Sequence, residues 1–358
     1  MLKIIEIPVS GYEKVIEVID KKAKLHGFIA LHNLSQGPAL GGVRIYPYTT
    51  REAALEDVLR LAKGMTYKSA LAEDGLGGGK SVIIANPHTD KTNDLLLAFA
   101  DAINTLQGNY ITAEDVGSTP EDLMIIRQRT PFVSALPIDK SSGDPSRFTA
   151  WGVFKGIQAV AQNLWKSTNL KDKRIAIQGL GHVGAKLAEL LFWEGAELIL
   201  SDLDKHLLHH LATIYGAQTV SSHEFHRIKC DILSPCAMGG TINDETIPLM
   251  QCKAIAGSAN NQLGRPEHGF RLKEKGILYA PDSIINSGGI INAAAEFDEG
   301  GYNPKTARDK VDRIYDRLLT LFNKSEMTNK PPSQLADELA EYNLKNKIGA
   351  RTRPIDWS

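Results

Sequence analysis

The stretch Arg174-Ile-Ala-Ile-Gln-Gly-Leu-Gly-His-Val-Gly184 defines the fold of the second half of the chain. Its first apolar run, Ile175 to Ile177, predicts a buried strand, and the glycines that follow have the spacing G-x-G-x-x-G. Apolar residues then recur at helical spacing, and a second strand-like run ends at Asp202, 18 residues after Gly184. This order of strand, glycine turn, helix, strand and acid predicts a Rossmann-type dinucleotide-binding unit.

Each part of this unit has a predicted task. Gly179 permits the tight turn, Gly181 lets the backbone approach a pyrophosphate, and Gly184 lets the helix pack close to the strand. The helix N-terminus offers N–H groups and a positive dipole end to the phosphates. Asp202 would bind the ribose hydroxyls and repel a 2′-phosphate, and Lys205 is the only cation near it in sequence. We therefore predict NAD rather than NADP as the cofactor.

Length, composition and charge limit the other possibilities. A chain of 358 residues is long for one core, so we expect two domains. A net charge of −1 gives no electrostatic reason to expect nucleic acid or an anionic membrane as a partner. No apolar run approaches a membrane helix, and no signal peptide is evident at the N-terminus. With three cysteines and no C-x-x-C pair, we expect reduced thiols and a cytoplasmic protein.

The order of predicted elements gives an α/β protein with two domains. Residues 134–148 have the composition of a linker. We expect residues 1–140 to form one α/β domain and residues 141–329 a mostly parallel, doubly wound dinucleotide-binding domain. In the first domain, a glycine loop is predicted to precede a strand at Val82–Ala85.

Two lysines and one carboxylate in the first domain suit a zwitterionic substrate. Lys68 and Lys80 are twelve residues apart, three glycines precede Lys80, and Asp115 ends a predicted strand. Glycines there would let a small substrate lie against the backbone. One ammonium group can hold an α-carboxylate, and a desolvated lysine can lose its proton and act as a base. Asp115 can accept a proton from an amine.

Two further patterns are weaker. The segment Gly75-Leu-Gly-Gly-Gly-Lys-Ser81 partly matches a phosphate-binding loop, but Asp74 stands where that motif requires its first glycine. Its predicted helix before and strand after also reverse the order of such a loop. Several histidines have spacings that zinc sites use, but no Glu or Cys partner stands in register, so we predict no metal site. These histidines are His206, His209, His210, His223 and His226.

Longer motifs are spread over nearly the whole chain. They are Gly37-Pro-Ala-Leu-Gly-Gly-Val-Arg44, Gly64-Met-Thr-Tyr-Lys68, Leu76-Gly-Gly-Gly-Lys80, Thr112-Ala-Glu-Asp-Val-Gly117, Ser141-Ser-Gly143, Asp231-Ile-Leu-Ser-Pro-Cys236, Ile255-Ala-Gly-Ser-Ala-Asn-Asn-Gln262 and Asn286-Ser-Gly-Gly289. In these motifs the chain resembles the amino-acid dehydrogenases of the glutamate, leucine, phenylalanine and valine family, and most closely their leucine branch. The resemblance implies reversible oxidative deamination of an L-amino acid to a 2-oxo acid and ammonia.

The resemblance also implies roles for individual residues. Lys68 would bind the substrate carboxylate, Lys80 would be the base that activates water, and Asp115 would relay protons at the amino group. Thr149 would contact the nicotinamide carboxamide, and Asn261 would lie near both substrate and nicotinamide. The remaining substrate contacts implied are Leu40, Gly41, Ala113, Ile290 and Ala293. The remaining cofactor contacts implied are Gly179, Gly181, His182, Val183, Gly184, Asp202, Cys236, Ala237 and Asn260.

The same resemblance implies an architecture. The first domain would bind the substrate and form the contacts of a homo-oligomer, from dimer to octamer. A cleft would separate it from the dinucleotide-binding domain, and a C-terminal helix within about 330–358 would pack back on it. The chain departs from the pattern at Glu73-Asp74, where two acids would raise the pKa of Lys80 if they faced the cleft. We expect them to face solvent.

The substrate class follows from the pocket that the resemblance implies. Its four side-chain contacts, Leu40, Ala113, Ile290 and Ala293, are all apolar. Burying the distal carboxylate of glutamate against them would be unfavourable without a cation, so we expect glutamate to be inert. Branched-chain amino acids are the predicted substrates. The alternatives are the same chemistry on phenylalanine or tryptophan, and a catalytically weak homologue that binds amino acid or NAD.

Overall fold

The computed structural model describes residues 1–357, which divide into two compact units. Unit 1 contains residues 1–144, residues 293–304 and the segment from Ala340 onward. Unit 2 contains residues 145–292 and 305–339. None of the helices within residues 1–357 is long and apolar enough to cross a membrane.

A seven-stranded mixed sheet forms the centre of unit 1. Its strands are β1 (Lys3–Glu6), β2 (Lys14–Asp20), β3 (Leu25–Asn33), β4 (Ala39–Leu40), β5 (Val43–Tyr46), β6 (Gly77–Ile84) and β7 (Tyr110–Ile111). The order is β1-β2-β3-β6-β4-β7, and β5 also pairs with β6. Strands β1, β2, β3 and β6 pair antiparallel, whereas β4 and β5 pair parallel to β6. The helices of this part of the chain are α1 (Arg51–Ala72), α2 (Asn93–Asn104) and α3 (Pro120–Arg127).

The two faces of this sheet are covered by different helices. Helix α1 begins after Thr50, whose side chain accepts a hydrogen bond from the Ala53 N–H. Its apolar side chains, including Val58, pack in one buried cluster with Val82 of β6. Helices α2 and α3 contribute to the larger cluster on the other face. Because side chains alternate along a strand, Lys80, two residues before Val82, points to the α1 face.

The glycines before Lys80 lie in β6 and not in the predicted loop. A Cβ on Gly78 would come 2.1 Å from the Thr66 nitrogen of α1, and one on Gly77 would come 2.3 Å from the Asn33 carbonyl oxygen. The space that the missing side chains leave is therefore filled by helix and strand backbone, and not kept open for a substrate. Gly78 lets α1 pack directly on the strand that carries Lys80.

Unit 2 contains a six-stranded parallel sheet in the order β10-β9-β8-β11-β12-β13. Its strands are β8 (Arg174–Gln178), β9 (Glu197–Ser201), β10 (Gln218–Thr219), β11 (Ile232–Pro235), β12 (Ala254–Ile255) and β13 (Leu278–Tyr279). The helices from here to the C-terminus are α4 (Ser146–Trp165), α5 (His182–Trp193), α6 (Lys205–Tyr215), α7 (His268–Glu274), α8 (Asp282–Ile285), α9 (Gly288–Ala294), α10 (Pro304–Thr328) and α11 (Pro332–Lys345). This strand order is that of a doubly wound Rossmann fold, which confirms the predicted fold class.

The compact units differ from the predicted domains in three segments. Residues 141–144, predicted in the second domain, belong to unit 1. Residues 293–304, predicted in the second domain, belong to unit 1. The reason is Glu296, whose Oε1 accepts hydrogen bonds from the Ala135 and Ser142 N–H groups at 2.8 and 2.7 Å. Residues 330–339, predicted to pack on the first domain, belong to unit 2, and only the chain from Ala340 onward belongs to unit 1. There, the Asn343 side chain donates to the Ala70 carbonyl oxygen at the end of α1.

Candidate active site

The structure brings Lys80 and Asp115 together on the α1 side of the unit 1 sheet. Lys80 is 5% exposed, and its Nζ lies 3.1 Å from Asp115 Oδ1. Asp115 follows β7 in a turn that Ser118 fixes. The Ser118 hydroxyl accepts a hydrogen bond from the Asp115 N–H at 2.9 Å and lies 2.9 Å from the Val43 carbonyl oxygen. The backbone carrying the carboxylate is thereby tied to the strand beside β6.

Arg44 of β5 binds the other oxygen of the same carboxylate. Its Nε donates to Asp115 Oδ2 at 2.8 Å, and its Nη1 donates to Asp57 Oδ2 of α1 at 3.0 Å. Asp57 in turn accepts hydrogen bonds from the Tyr48 hydroxyl and from Arg60, each at 2.6 Å. Arg44 stands in one of the sequence motifs, but the sequence predicts no role for it, and it does not single out Asp57. The contacts of both residues join elements that are separate in sequence, so no short pattern indicates them.

Burial and neighbouring charges act on both members of the Lys80–Asp115 pair. Burial lowers the pKa of the Lys80 ammonium; Asp115 opposes this shift, and Arg44 adds to it. Burial by itself would raise the pKa of Asp115, but Lys80 and Arg44 outweigh it and lower that pKa to about 2. At neutral pH the site therefore holds a carboxylate anion next to a lysine that releases its proton more readily than a free one. A lowered lysine pKa suits a general base, and the ionised Asp115 is available as a proton acceptor beside it.

The predicted substrate residues are placed in both units. Leu40 in β4 is 2% exposed and pairs with Gly78, and Ala113 follows β7 and accepts a hydrogen bond from the Val43 N–H. Lys68 lies half-buried near the end of α1, the helix that packs on β6. Ala293 also belongs to unit 1, whereas Asn261 and Ile290 belong to unit 2.

Gly41 connects two strands of this region at close range. A Cβ at Gly41 would come 1.8 Å from the Gly79 carbonyl oxygen, so only glycine allows the chain after β4 to run against β6. This contact gives Gly41 a reason in packing that is separate from the substrate contact predicted for it.

The neighbouring acids Glu73 and Asp74 differ in their exposure to solvent. Glu73 is exposed and ends α1 in a left-handed conformation. Asp74 is half-buried, and its Oδ1 accepts a hydrogen bond from the Leu76 N–H at 3.0 Å. The expectation that both face solvent is wrong for Asp74, because its side chain folds back onto the following turn.

The glycine turn of unit 2 gives its three glycines three distinct surroundings. Gly179 has a φ of +90°, a left-handed conformation that suits glycine. A Cβ at Gly184 would come 1.9 Å from the Gly179 carbonyl oxygen, whereas a Cβ at Gly181 would meet no atom within 4 Å. The backbone face at Gly181 is therefore open. Gly181 is also the N-cap of α5 and no side chain caps this end, which leaves the first N–H groups of α5, beginning with His182 and Val183, for an anionic ligand.

Asp202 lies at the end of β9, next to this turn. Its Oδ2 accepts a hydrogen bond from the Leu180 N–H at 2.6 Å, and its Oδ1 accepts one from the Asp204 N–H at 2.8 Å. It also lines a surface cavity of about 900 Å³ at the ends of β9 and β10. Lys205 is not the only cation there, because Arg227 lines the same cavity.

Cys236 and Ala237 lie against the glycine turn from the side of β11. The Cys236 N–H donates to the Gln178 carbonyl oxygen at 2.7 Å, and a Cβ at Gly179 would come 2.9 Å from the Ala237 nitrogen. Elsewhere in unit 2, a Cβ added to Gly289 of α9 would come 2.6 Å from the Thr149 hydroxyl oxygen of α4. Gly289 is thus needed for the close approach of α4 and α9 at Thr149.

A network of amide side chains holds the loop after β12, which carries Asn260 and Asn261. Asn286 donates to the Ser258 carbonyl oxygen at 3.1 Å and to Asn260 Oδ1 at 2.9 Å. The Asn261 N–H donates to Asp282 Oδ2 at 2.7 Å. Gln262 donates to two carbonyl oxygens of the same loop. Asn286 and Gln262 stand in the motifs of the sequence, whereas Asp282 has no sequence signal.

Comparisons with known proteins identify the family of the chain. Residues 13–132 match the family model described as "Glu/Leu/Phe/Val dehydrogenase, dimerisation domain", and residues 200–329 match the model "Glutamate/Leucine/Phenylalanine/Valine dehydrogenase". The chain is 45% identical to the leucine dehydrogenase of Geobacillus stearothermophilus, over 95% of this chain and 93% of that protein. It is 41% identical to the phenylalanine dehydrogenase of Thermoactinomyces intermedius, over 95% and 93% of the two chains.

Among solved structures, the chain is similar to the L-tryptophan dehydrogenase of Nostoc punctiforme. The TM-score is 0.81 at 41% identity, with 94% of this chain and 96% of that chain covered. The chain therefore belongs to the Glu/Leu/Phe/Val dehydrogenase family and is an amino-acid dehydrogenase that uses a nicotinamide cofactor. Within residues 1–357, no three His, Cys, Asp or Glu side chains come together as a metal ion would require.

Proposed function

We propose that this chain catalyses the reversible NAD-dependent oxidative deamination of leucine, isoleucine or valine to the 2-oxo acid and ammonia. The observation that carries the proposal is the buried Lys80–Asp115 pair, 3.1 Å apart, in a chain of this family. A neutral lysine and an ionised carboxylate are the groups that imine hydrolysis needs near neutral pH. The family supplies the reaction class, and this pair supplies the groups that perform it.

The residues of unit 1 have the following proposed tasks. Lys68 holds the substrate α-carboxylate as a point charge. The glycine turn and Asp202 would hold the nicotinamide cofactor, which would supply the acceptor for the α-hydride and so allow the substrate amine to become an imine. Lys80 takes a proton from the water that attacks the imine carbon, and Asp115 transfers protons at the amino group. Breakage of the carbon–nitrogen bond then releases ammonia and the 2-oxo acid.

The apolar character of the predicted pocket supports a branched-chain substrate. Leu40, Ile290 and Ala293 are each less than a tenth exposed, and none offers a partner for a distal carboxylate. Glutamate is disfavoured because its charge would be buried unpaired. An aromatic substrate is the second candidate, since relatives named for phenylalanine and tryptophan are 41% identical to this chain. One methylene changes such discrimination by only about 1–3 kcal/mol, so we expect overlapping activities.

The test is NADH production by the purified chain with a panel of L-amino acids. We expect the highest kcat/KM for leucine, isoleucine or valine, a lower value for phenylalanine and no turnover of glutamate. A preference for phenylalanine or tryptophan would select the second candidate. No turnover of any amino acid, with NAD still bound, would instead support a binding homologue without catalysis.

NAD, self-association and a cytoplasmic location belong to the same proposal. Asp202 supports NAD because a carboxylate at the end of β9 repels a 2′-phosphate. The matched "dimerisation domain" supports a homo-oligomer formed through unit 1, which light scattering of the purified chain would test. The three cysteines are free, as expected of a protein from a reducing compartment.

A further inference from the structure

Arg44 joins the Lys80–Asp115 pair to the rest of the α1 face through two carboxylates. Its Nε binds Asp115 Oδ2 at 2.8 Å, while its Nη1 binds Asp57 Oδ2 at 3.0 Å. The Arg44 side chain is 21% exposed, and those of Asp57 and Asp115 are 17% and 20% exposed. Such partly buried charge-assisted hydrogen bonds are stronger than those of an exposed surface pair.

The position of Arg44 is itself fixed from two directions. Its backbone lies in β5, where it pairs with Val82 of β6, two residues from Lys80. Its far anchor, Asp57, is held by the Tyr48 hydroxyl and by Arg60 Nη2, each at 2.6 Å. The Arg44 guanidinium therefore links α1 to the turn that carries Asp115.

The Asp115 carboxylate would otherwise be free to turn about its last torsion, because that torsion has a broad energy minimum. Lys80 binds Oδ1 at 3.1 Å and Arg44 binds Oδ2 at 2.8 Å, so each oxygen has its own cation. Without Arg44, both oxygens could approach Lys80, and the oxygen that meets the substrate amino group would no longer be defined.

The largest charge effects on Lys80 come from three elements. They are Asp115 after β7, Arg44 in β5 and Asp57 in α1. The two carboxylates favour the protonated amine, whereas Arg44 favours the neutral one. Arg44 stays charged at any working pH, so its effect on Lys80 is permanent.

We propose that Arg44 is a positioning residue of the reaction, which orients the Asp115 carboxylate against Lys80 and by its charge favours the neutral lysine. Asp57, with Tyr48 and Arg60, holds Arg44 in place. The inference rests on the proposed function, because it assigns to Lys80 the task of a base.

The test is the pH dependence of kcat/KM for leucine with the full-length protein and its Arg44→Gln and Arg44→Lys variants. A base must be neutral, so the rate falls as pH falls through its pKa. Loss of the Arg44 charge should raise the pKa of Lys80, so the acidic limb of the profile, where kcat/KM falls with pH, moves to higher pH. A shift of one pH unit lowers kcat/KM at a given acidic pH roughly tenfold. Arg44→Lys keeps a charge but cannot bind both carboxylates, so we expect its limb to move less, together with at least a tenfold loss of kcat.

Asp57→Asn is the second arm, and it leaves Arg44 present if Arg44→Gln does not fold. Removal of the Asp57 charge is expected to move the acidic limb to lower pH, opposite to Arg44→Gln, while kcat falls because Arg44 loses its anchor. Loss of packing alone would lower the rate of both variants without moving their limbs in opposite directions. Limbs that move in the same direction, or a wild-type kcat and limb in Arg44→Gln, would overturn the inference.

Arg51→Gln is the matched control. Arg51 also forms a double contact with a carboxylate of unit 1, with its Nε and Nη2 at 2.8 and 2.7 Å from Glu17, but it lies outside the Lys80 network. We expect the wild-type pH profile for this variant. Absence of amino-acid turnover by the wild-type chain would refute the proposed function. If the wild type is active, Lys80→Ala is inactive and Arg44→Gln behaves like the wild type, only the positioning role is refuted.

Discussion

The glycine turn of unit 2 and the Lys80 site of unit 1 are built in opposite ways. The stretch from Gly179 to Gly184 is one continuous segment that leads from β8 into the first turn of α5, and its acid lies at the end of the next strand. The Lys80 site takes its charges from β5, β6, α1 and the turn after β7, which are far apart in sequence. A local site can be recognised from spacing, whereas an assembled one becomes evident only when the sheet is formed.

The strongest test of the assembled site is Lys80→Ala. We expect kcat to fall by roughly 10² to 10⁴, because the base that activates water is removed, while NADH binding stays normal. The measurements are steady-state turnover and NADH fluorescence titration. Lys91→Ala is the control, since Lys91 also forms an ion pair in unit 1, at 2.6 Å from Asp122. Near-normal turnover of Lys80→Ala would remove the catalytic role.

Lys68→Ala tests whether α1 contributes a substrate contact to the same site. A lost hydrogen bond to a charged group corresponds to about 1.5–3 kcal/mol, so KM for leucine should rise roughly 10- to 100-fold. We expect a smaller change in kcat. Lys63→Ala on the exposed surface of α1 should leave both constants unchanged. An unaltered KM in Lys68→Ala would contradict the carboxylate role.

The local site is tested by comparing Gly184→Ala with Gly181→Ala. A methyl group at Gly184 would meet the Gly179 carbonyl oxygen, so we expect a loss of about 1–3 kcal/mol in the free energy of unfolding. A methyl group at Gly181 meets nothing within 4 Å, so stability should hold while NADH binding weakens. Thermal unfolding and NADH titration separate the two effects. Undiminished NADH binding by Gly181→Ala would contradict the ligand role of this open face.

The smallest expected effect concerns the cation that lines the cavity beside Asp202. We expect wild-type kcat/KM to be much higher with NAD than with NADP. Arg227→Ala should lower the remaining NADP activity by up to about fivefold, as expected for an exposed ion pair of about 0.2–1 kcal/mol, and should leave NAD activity unchanged. Wild-type efficiencies that are equal for the two cofactors would refute the assignment of Asp202.

The helices and strands were predicted unevenly, for physical reasons. The caps of α1 and α3 are local signals, because Thr50 and Thr119 at their N-caps are of a residue type that favours this position. The glycines before Lys80 were expected in a loop, because glycine is unfavourable inside strands in general. They lie in β6 because α1 crosses that strand so closely that a side chain at Gly78 would overlap Thr66. A contact between two elements overrides the local preference here.

Residue type and short spacing were enough to predict the parallel α/β fold of the second half, the glycine turn and the chemical groups Lys68, Lys80 and Asp115. Such signals act within one strand–helix–strand unit or one motif, so they can be recognised before the chain is folded. Three other arrangements are evident only in the folded chain. Arg44 and Asp57 belong to the same charge network as Lys80, and Arg227 lines the same cavity as Asp202. Residues 293–304 belong to unit 1. These arrangements arise from strand order and helix packing, which join residues that no short pattern connects.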